Sequence, residues 1–223
     1  MSFLAIDTCE ATCSAAILAE DGAVRATRSD TIGRGHAEHL LPMIDSLHRD
    51  ACTAYADVSR IAVTTGPGSF TGVRVGLSVA RGLALALSVP CIGVMSLPVL
   101  AVQAAIAGGA EGRVHAVVAG RGGQVFHQAF DVLPSMVLPR ARTEAACLDG
   151  SVARALIARH GGLVCGSGAE ILGFDAVVST LDPVLLGRLA ADLDPVVQRP
   201  EPAYLRPADA ARAKPPLPVT VES

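Results

Sequence analysis

Apolar positions come in short blocks along the first hundred residues, and the period within each block assigns an element. Residues 3–6, 13–18 and 24–29 are brief apolar or alternating runs with Asp21-Gly22 between the last two, which predicts three strands joined by tight turns. Residues 36–49 set Leu40, Leu41, Met43, Ile44 and Leu47 at helical spacing, with Pro42 in the opening turns where proline is tolerated. A strand at 61–63, a helix at 70–87, a strand at 90–94 and a helix at 97–107 behind Ser96 complete a β-β-β-α-β-α-β-α order. The glycine-rich stretch 108–112 interrupts the pattern. After it, 114–118 and 124–130 alternate as two strands, 151–160 reads as helix, 163–165 and 175–178 as short strands, and 183–191 as helix. The chain therefore divides at the glycine break into 1–108 and a smaller, degraded copy of the same α/β plan at 109–223, whose proline-rich end after Pro195 reads as extended or disordered.

The helix at 70–87 is unusual within this pattern. Gly72, Gly76, Ala80 and Ala84 recur every fourth position and stack into one ridge. Glycine inside a helix costs about 1 kcal/mol relative to alanine, so Gly72, Gly76 and Gly82 must recover that cost through close packing. The ridge predicts a helix lying tightly on another helix, either within this chain or in a partner.

Composition narrows the reading. Of 223 residues 51% are hydrophobic, 17% charged and 3% aromatic, which suits one large or two small aliphatic cores. A net charge of −3 does not suit a chain that grips nucleic acid by itself. Cys9, Cys13, Cys52, Cys91, Cys147 and Cys165 are scattered and form no Cys-x-x-Cys pair, so reduced thiols of a cytoplasmic protein are expected. The apolar stretch 73–94 is broken by Arg74, Arg81 and Pro90, so no membrane association is expected.

Candidate chemistry is sparse. The Gly66-Pro67-Gly68-Ser69 turn opens a helix and could cradle an anion with its N–H groups, or serve only as a tight turn with Ser69 as the cap. It lacks the Gly-Lys-Ser/Thr ending of a P-loop. Asp7-Thr8, ending the first strand, could set a carboxylate near magnesium and phosphate as actin-like ATPases and sugar kinases do, or could cap the following turn. His36 and His39 flank Glu38 at three-residue rather than four-residue spacing, which does not match the His-Glu-x-x-His of metallopeptidases. Ser167 sits in Cys165-Gly166-Ser167-Gly168-Ala169, which is not a nucleophile elbow. No catalytic set, metal site or cofactor site is assigned.

Four segments together resemble the TsaB (YeaZ) family: Leu4-Ala5-Ile6-Asp7-Thr8, Arg34-Gly35-His36-Ala37-Glu38-His39-Leu40-Leu41-Pro42, the run from Gly66 through Gly76, and Pro202-Ala203-Tyr204-Leu205-Arg206. The resemblance implies an actin-like, two-lobed, ribonuclease H-like α/β fold of the sugar kinase/Hsp70 superfamily. It implies a part in forming N6-threonylcarbamoyladenosine at position 37 of ANN-decoding tRNAs. In that family the transfer chemistry belongs to the paralogue TsaD. TsaB is its non-catalytic dimerisation partner, the ATPase TsaE joins the complex, and tRNA is met through the complex. Without TsaD, TsaB pairs with itself. The family's docking helices match 36–49 and 70–87, so the implied partner interface comprises His36, Leu40, Ile44, Leu47, Phe70, Gly72, Val73, Gly76, Leu77, Ala80 and Ala84. Asp7, Thr8, Gly66, Gly68 and Ser69 remain the candidate anion or nucleotide contacts, with a small actin-like ATPase or kinase as the alternative function. Many relatives carry acidic residues in the second lobe where this chain has Ala119 and Gln124, which weakens the case for an independent ATPase.

Overall fold

A computed structural model describes residues 1–109, 111–133 and 138–205. The first sheet contains β1 (Ser2–Asp7), β2 (Thr12–Ala19), β3 (Val24–Thr31), β4 (Val58–Thr64) and β5 (Cys91–Val94) in the order β3-β2-β1-β4-β5. β1 runs antiparallel to β2 and parallel to β4, and β4 runs parallel to β5. Central β1 is buried along its whole length, which explains the unbroken apolar run at residues 3–6 between Ser2 and Asp7.

Side-chain alternation assigns the two faces of this sheet. Leu4, Ile6, Ile17, Ile61 and Val63 face α1 (His36–Asp50) and α2 (Phe70–Leu87). Phe3, Ala5, Ala16, Leu18 and Ala62 face α3 (Ser96–Gly108) and α5 (Pro183–Ala191) on the other side. The second sheet consists of β6 (Gly112–Ala119), β7 (Gln124–Val132), β8 (Arg140–Ala141), β9 (Ala146–Asp149) and β10 (Leu163–Cys165). Its order is β10-β6-β7-β8, with β9 also paired to β7. Val114, Ala116 and Phe130 of this sheet join the α3/α5 core, so one apolar layer is shared by both sheets. α4 (Gly150–His160) closes the outer face, with Ala153 and Ile157 against Val117, Val125 and Val164.

The elements expected from periodicity are present, with two differences. Residues 175–178 form no strand. They run beside β10 through two bonds only, Val177 N–H to the Val164 carbonyl at 3.0 Å and Gly166 N–H to the Val178 carbonyl at 2.7 Å. The short strands β8 and β9 have no counterpart in the sequence reading. All six cysteines are free thiols.

The segment beyond Pro195 is tied down as far as it is described. Gly93 N–H donates to the Gln198 carbonyl at 2.8 Å, and Ala203 N–H to the Thr65 carbonyl at 2.8 Å. A Cβ on Gly93 would lie 2.3 Å from the Arg199 carbonyl oxygen, so glycine lets this strap lie against the β5 edge. Arg206 and the rest of the proline-rich tail lie outside the described residues.

Candidate functional site

The carboxyl ends of β1 and β4 meet the start of α2, and a network of short bonds fills the junction. Thr64 Oγ1 donates to Asp7 Oδ1 at 2.5 Å, the Cys9 thiol donates to Thr64 Oγ1 at 3.0 Å, and Cys9 N–H reaches Asp7 Oδ1 at 3.2 Å. Asp7 is 4% exposed, and burial holds its carboxyl above the usual range although the Thr64 bond pulls the other way. Burial also raises the Cys9 thiol, with the neighbouring Asp7 charge adding to the effect, so Cys9 is no thiolate nucleophile.

The Gly66–Ser69 turn is locked onto this junction. Ser69 N–H donates to the Cys9 carbonyl at 2.6 Å, and Ser69 Oγ caps α2 by accepting from Gly72 N–H at 3.0 Å. A Cβ on Gly68 would stand 2.1 Å from the Cys9 carbonyl oxygen. Of the two readings of this turn, the geometry favours the structural one: the Ser69 amide and hydroxyl and the Thr8 hydroxyl have partners within the chain.

Across the cleft between the sheets, the β1–β2 turn touches the second lobe. Glu10 accepts a short hydrogen bond from Ser167 Oγ, which in turn accepts from Ala119 N–H at 3.0 Å. Desolvation, with the Asp7 charge adding to it, raises the Glu10 carboxyl to about 7. Ser167 is held in place by two glycines: a Cβ on Gly166 would meet the Val117 carbonyl oxygen at 2.2 Å, and one on Gly168 would meet Val117 Cγ1 at 2.6 Å.

The glycine ridge of α2 points into this junction and not outward. A Cβ on Gly72 would lie 2.0 Å from the Thr8 carbonyl oxygen, and one on Gly76 would lie 2.5 Å from Thr8 Oγ1. Thr8 Oγ1 donates to the Gly72 carbonyl at 2.7 Å, so the close approach is between helix and strand end inside one lobe. Ala80, Ala84, Val73 and Leu77 are buried on the same side, and Leu40, Ile44 and Leu47 of α1 are buried beside them. His36 is buried at the start of α1, and its Nε2 has no hydrogen-bond partner among the described residues. Of the eleven residues expected at a partner interface, only Phe70 is exposed, at 51%. The other ten shape the inner face of the helix pair, because the packing that justifies the glycines is already supplied by Thr8 and β4.

The opposite side of α2 was missed in the sequence reading. Ser78, Gly82 and Ala86 also recur every fourth position, and all three are exposed. A Cβ on Gly82 would meet nothing within 4 Å, so packing among the described residues does not explain that glycine. Leu85 is 83% exposed, and Val75, Val79 and Leu83 are partly exposed on the same helix. Phe70 stacks on Tyr204 of the strap, with centroids 5.8 Å apart, and the Arg74 guanidinium lies 3.7 Å from the Phe70 centroid. Two shallow grooves flank this face. One, of about 440 Å³, includes Arg74, Ser78, Arg81 and Tyr204; the other, of about 410 Å³, runs between Ala37 of α1 and Phe70–Val79 of α2.

The histidines do not gather a metal. His39 Nε2 pairs with Asp30 Oδ2 at 2.7 Å, and among the described residues no three His, Cys, Asp or Glu side chains could share an ion. His115 Nδ1 and His127 Nε2 lie 2.9 Å apart inside the second sheet, where burial lowers both pKa values, His127 to about 4.

Comparison with known proteins gives a consistent picture. The family model described as "TsaD: tRNA N6-adenosine threonylcarbamoyltransferase" matches residues 29–150, which include both α1 and α2. The tRNA threonylcarbamoyladenosine biosynthesis protein TsaB of Escherichia coli strain K12 is 33% identical over 222 residues, covering 92% of this chain and 95% of the relative. YeaZ from Pseudomonas aeruginosa superposes with a TM-score of 0.74 at 29% identity, over 92% of this chain and 99% of that one. The activator of the 2-hydroxyisocaproyl-CoA dehydratase from Clostridium difficile, solved with bound ADPNP, shares the fold at a TM-score of 0.51 and 11% identity, over 86% of this chain and 92% of that one. The architecture is thus the two-lobed, actin-like α/β fold.

Proposed function

The chain belongs to the TsaB family, and on that premise we propose that it is a non-catalytic docking subunit in the biosynthesis of threonylcarbamoyladenosine in tRNA. Its task is to hold a TsaD transferase on the outer face of α1 and α2 and to help bring TsaE to the assembly. In the absence of TsaD, the same face pairs two copies. tRNA is met through the assembled complex, and the chain needs no cofactor of its own.

One observation carries this reading. α2 has a mean hydropathy of 1.4 over 18 residues, enough by length and composition to cross a membrane, yet only 33% of that window is buried. The remainder includes exposed Phe70, Gly82, Leu85 and Ala86, with the partly exposed flanks of Val75, Val79 and Leu83 beside them, and among the described residues Leu85 and Gly82 have no packing partner. Exposed patches of this kind mark interaction sites. The family-model match adds the choice of occupant: a chain whose 29–150 segment is TsaD-like can meet TsaD helix pair to helix pair, in a pseudo-twofold manner. Burying Leu85 contributes roughly 1.5–3 kcal/mol before the cost of association, and covering what is still exposed of Phe70, Val75 and Val79 adds a fraction of that each. Gly82 and Ser78 let the partner backbone come close.

The kinase alternative gains nothing from the site. The turn that would hold phosphate is engaged with Cys9, and the Asp7 carboxyl is engaged by Thr64 and by the Cys9 amide.

The test is co-purification with TsaD. Gly82→Trp and Leu85→Glu place bulk or charge on the outer face, far from the Thr8 junction, and should abolish recovery of TsaD while leaving the circular dichroism of the chain unchanged. Retention of TsaD by both folded variants contradicts the assignment. Calorimetry with ATP and magnesium on the isolated chain should give no binding heat; a saturable signal lost in Asp7→Ala would favour the kinase alternative.

A further inference from the structure

The two lobes meet chiefly through apolar contact. α3 packs against both sheets, and the layer around it includes Ala5, Ala62, Val114, Ala116 and Phe130. Apolar packing has no preferred direction, so one lobe can tilt on the other across this layer. Among the described residues a single hydrogen bond links residues 1–108 to residues 111–178: Ser167 Oγ donates to the Glu10 carboxyl at the mouth of the cleft. Each end of that bond is fixed to its own lobe. The β1–β2 turn that carries Glu10 is pinned to α2 by the Ser69 N–H to Cys9 carbonyl bond at 2.6 Å. It is pinned to the end of β3 by the Ile32 and Gly33 amides, which donate to the Ala11 carbonyl at 3.0 and 2.9 Å. Ser167 accepts from the Ala119 amide at 3.0 Å and sits between two glycines that approach Val117 too closely to carry a side chain. Neither partner can follow the other far, so separation of the lobes breaks this bond.

The surroundings of Glu10 favour its neutral form. The ionisable groups that act on it from its own lobe are Asp7, at the end of β1, and the Cys9 thiol in the same turn. From the second lobe it meets the uncharged Ser167 hydroxyl. The ion pairs among the described residues are Arg28–Asp30, His39–Asp30 and Arg142–Asp131, so none of them offsets a charge on Glu10. With the cleft closed, an ionised Glu10 is partly stripped of water and faces a second carboxylate. The neutral acid keeps the Ser167 bond without that cost.

We propose that Glu10 and Ser167 form a proton-operated latch: the protonated carboxyl holds the two lobes closed, and loss of its proton to solvent lets them part over the α3 layer so that water reaches Glu10. The latch lies at the cleft mouth, apart from the outer face of α1 and α2, and it stands whether or not a partner docks there. Its direction follows from the two states of the acid. Glu10 sits at about 7 in the closed form against 4.5 when hydrated, so closure is favoured most below about pH 4.5, weakens as pH rises, and levels off above about pH 7. Between about pH 5 and pH 8 the closed-to-open ratio falls roughly fiftyfold.

The experiment is double electron–electron resonance on the full chain. Spin labels are carried by unnatural amino acids at Arg34 and Arg121, which leaves the six native thiols untouched. Both positions are exposed; Arg34 follows the Gly33 amide bonded to Ala11, and Arg121 lies in the β6–β7 turn beside Ala119. Dilution with unlabelled chain restricts the signal to distances within one copy. With the otherwise wild-type sequence, the short distance should dominate at about pH 5, and a longer one should grow up to about pH 7 and then level off. Glu10→Gln keeps an acceptor for Ser167 and cannot ionise, so its distance should stay short at every pH. Ser167→Ala removes the bond, so the longer distance should be present already at about pH 5, with circular dichroism unchanged. A wild-type distance that is constant from about pH 5 to pH 8, a Glu10→Gln chain that opens with pH as wild type does, or a folded Ser167→Ala chain that stays closed at low pH would each overturn the proposal.

Discussion

Gly72 and Gly82 sit on the same helix ten residues apart, and the structure makes opposite demands on them. At Gly72 an alanine methyl would stand 2.0 Å from the Thr8 carbonyl oxygen and 2.7 Å from Ser69 Oγ, where ordinary contact begins near 3.4 Å. Either α2 lifts from β1 or the β1–β2 turn shifts. Both movements break the Thr8–Gly72 hydrogen bond and disturb the Ser69 cap. Overpacking costs about 1–3 kcal/mol, and the lost hydrogen bonds about 1 kcal/mol each. The better helix propensity of alanine returns about 1 kcal/mol. Gly72→Ala should therefore destabilise the chain by about 2–4 kcal/mol, lowering Tm by roughly 5–15 °C for a chain of this length. At Gly82 nothing lies within 4 Å of the added methyl, so only the propensity gain remains. Gly82→Ala should raise stability by up to about 1 kcal/mol and Tm by about 2–4 °C. Thermal and urea unfolding followed by circular dichroism reads both variants. A Gly72→Ala chain as stable as wild type would refute the inward assignment of the glycine ridge, as would two variants moving in the same direction.

Three further outcomes follow from the buried groups and the strap. The folded chain holds His127 near 4, below the ordinary 6.5, so the unfolded state takes up the proton first, and stability present above about pH 6.5 is lost as pH falls toward 4. Wild type should lose up to about 3 kcal/mol relative to His127→Asn over that window, and parallel urea midpoints for the two chains would contradict it. Glu10 has the opposite sign: its folded value near 7 against 4.5 means that its contribution is full below about pH 4.5 and is lost as pH rises to 7. Glu10→Gln should gain about 3 kcal/mol on wild type between those limits, and a difference independent of pH would be inconsistent with a desolvated Glu10 carboxyl. Finally, Gly93→Ala forces its methyl against the Arg199 carbonyl, so brief chymotrypsin treatment should cut after Tyr204 much faster in the variant than in wild type; equal cleavage rates would mean that the strap is not held there.

Much of the first sheet and its helices was legible because each apolar block is long enough to fix a period. Leu40, Ile44 and Leu47 could be assigned to a buried helix face from spacing alone. Spacing could not decide what that face touches. Gly72-Gly76-Ala80-Ala84 and Ser78-Gly82-Ala86 have the same four-residue period on opposite sides of one helix, and only the position of Thr8 and β4 separates the inner ridge from the outer. β9, four residues of mixed polarity, exists because β7 offers it a partner, which no local signal reports. The stretch 175–178 is apolar enough for a strand but meets β10 at only two bonds. The strap reads from its prolines as extended or disordered, and nothing local reports that Gly93 and Thr65, more than a hundred positions away, hold it in place.

Hydrogen–deuterium exchange of the full chain with and without TsaD tests the central claim most directly. Slower exchange confined to α1 and α2, strongest around Ser78–Leu85 and absent from β6, β7 and α4, is the predicted result. Protection centred on the second sheet, or an unchanged α2 in a demonstrated complex, would contradict it.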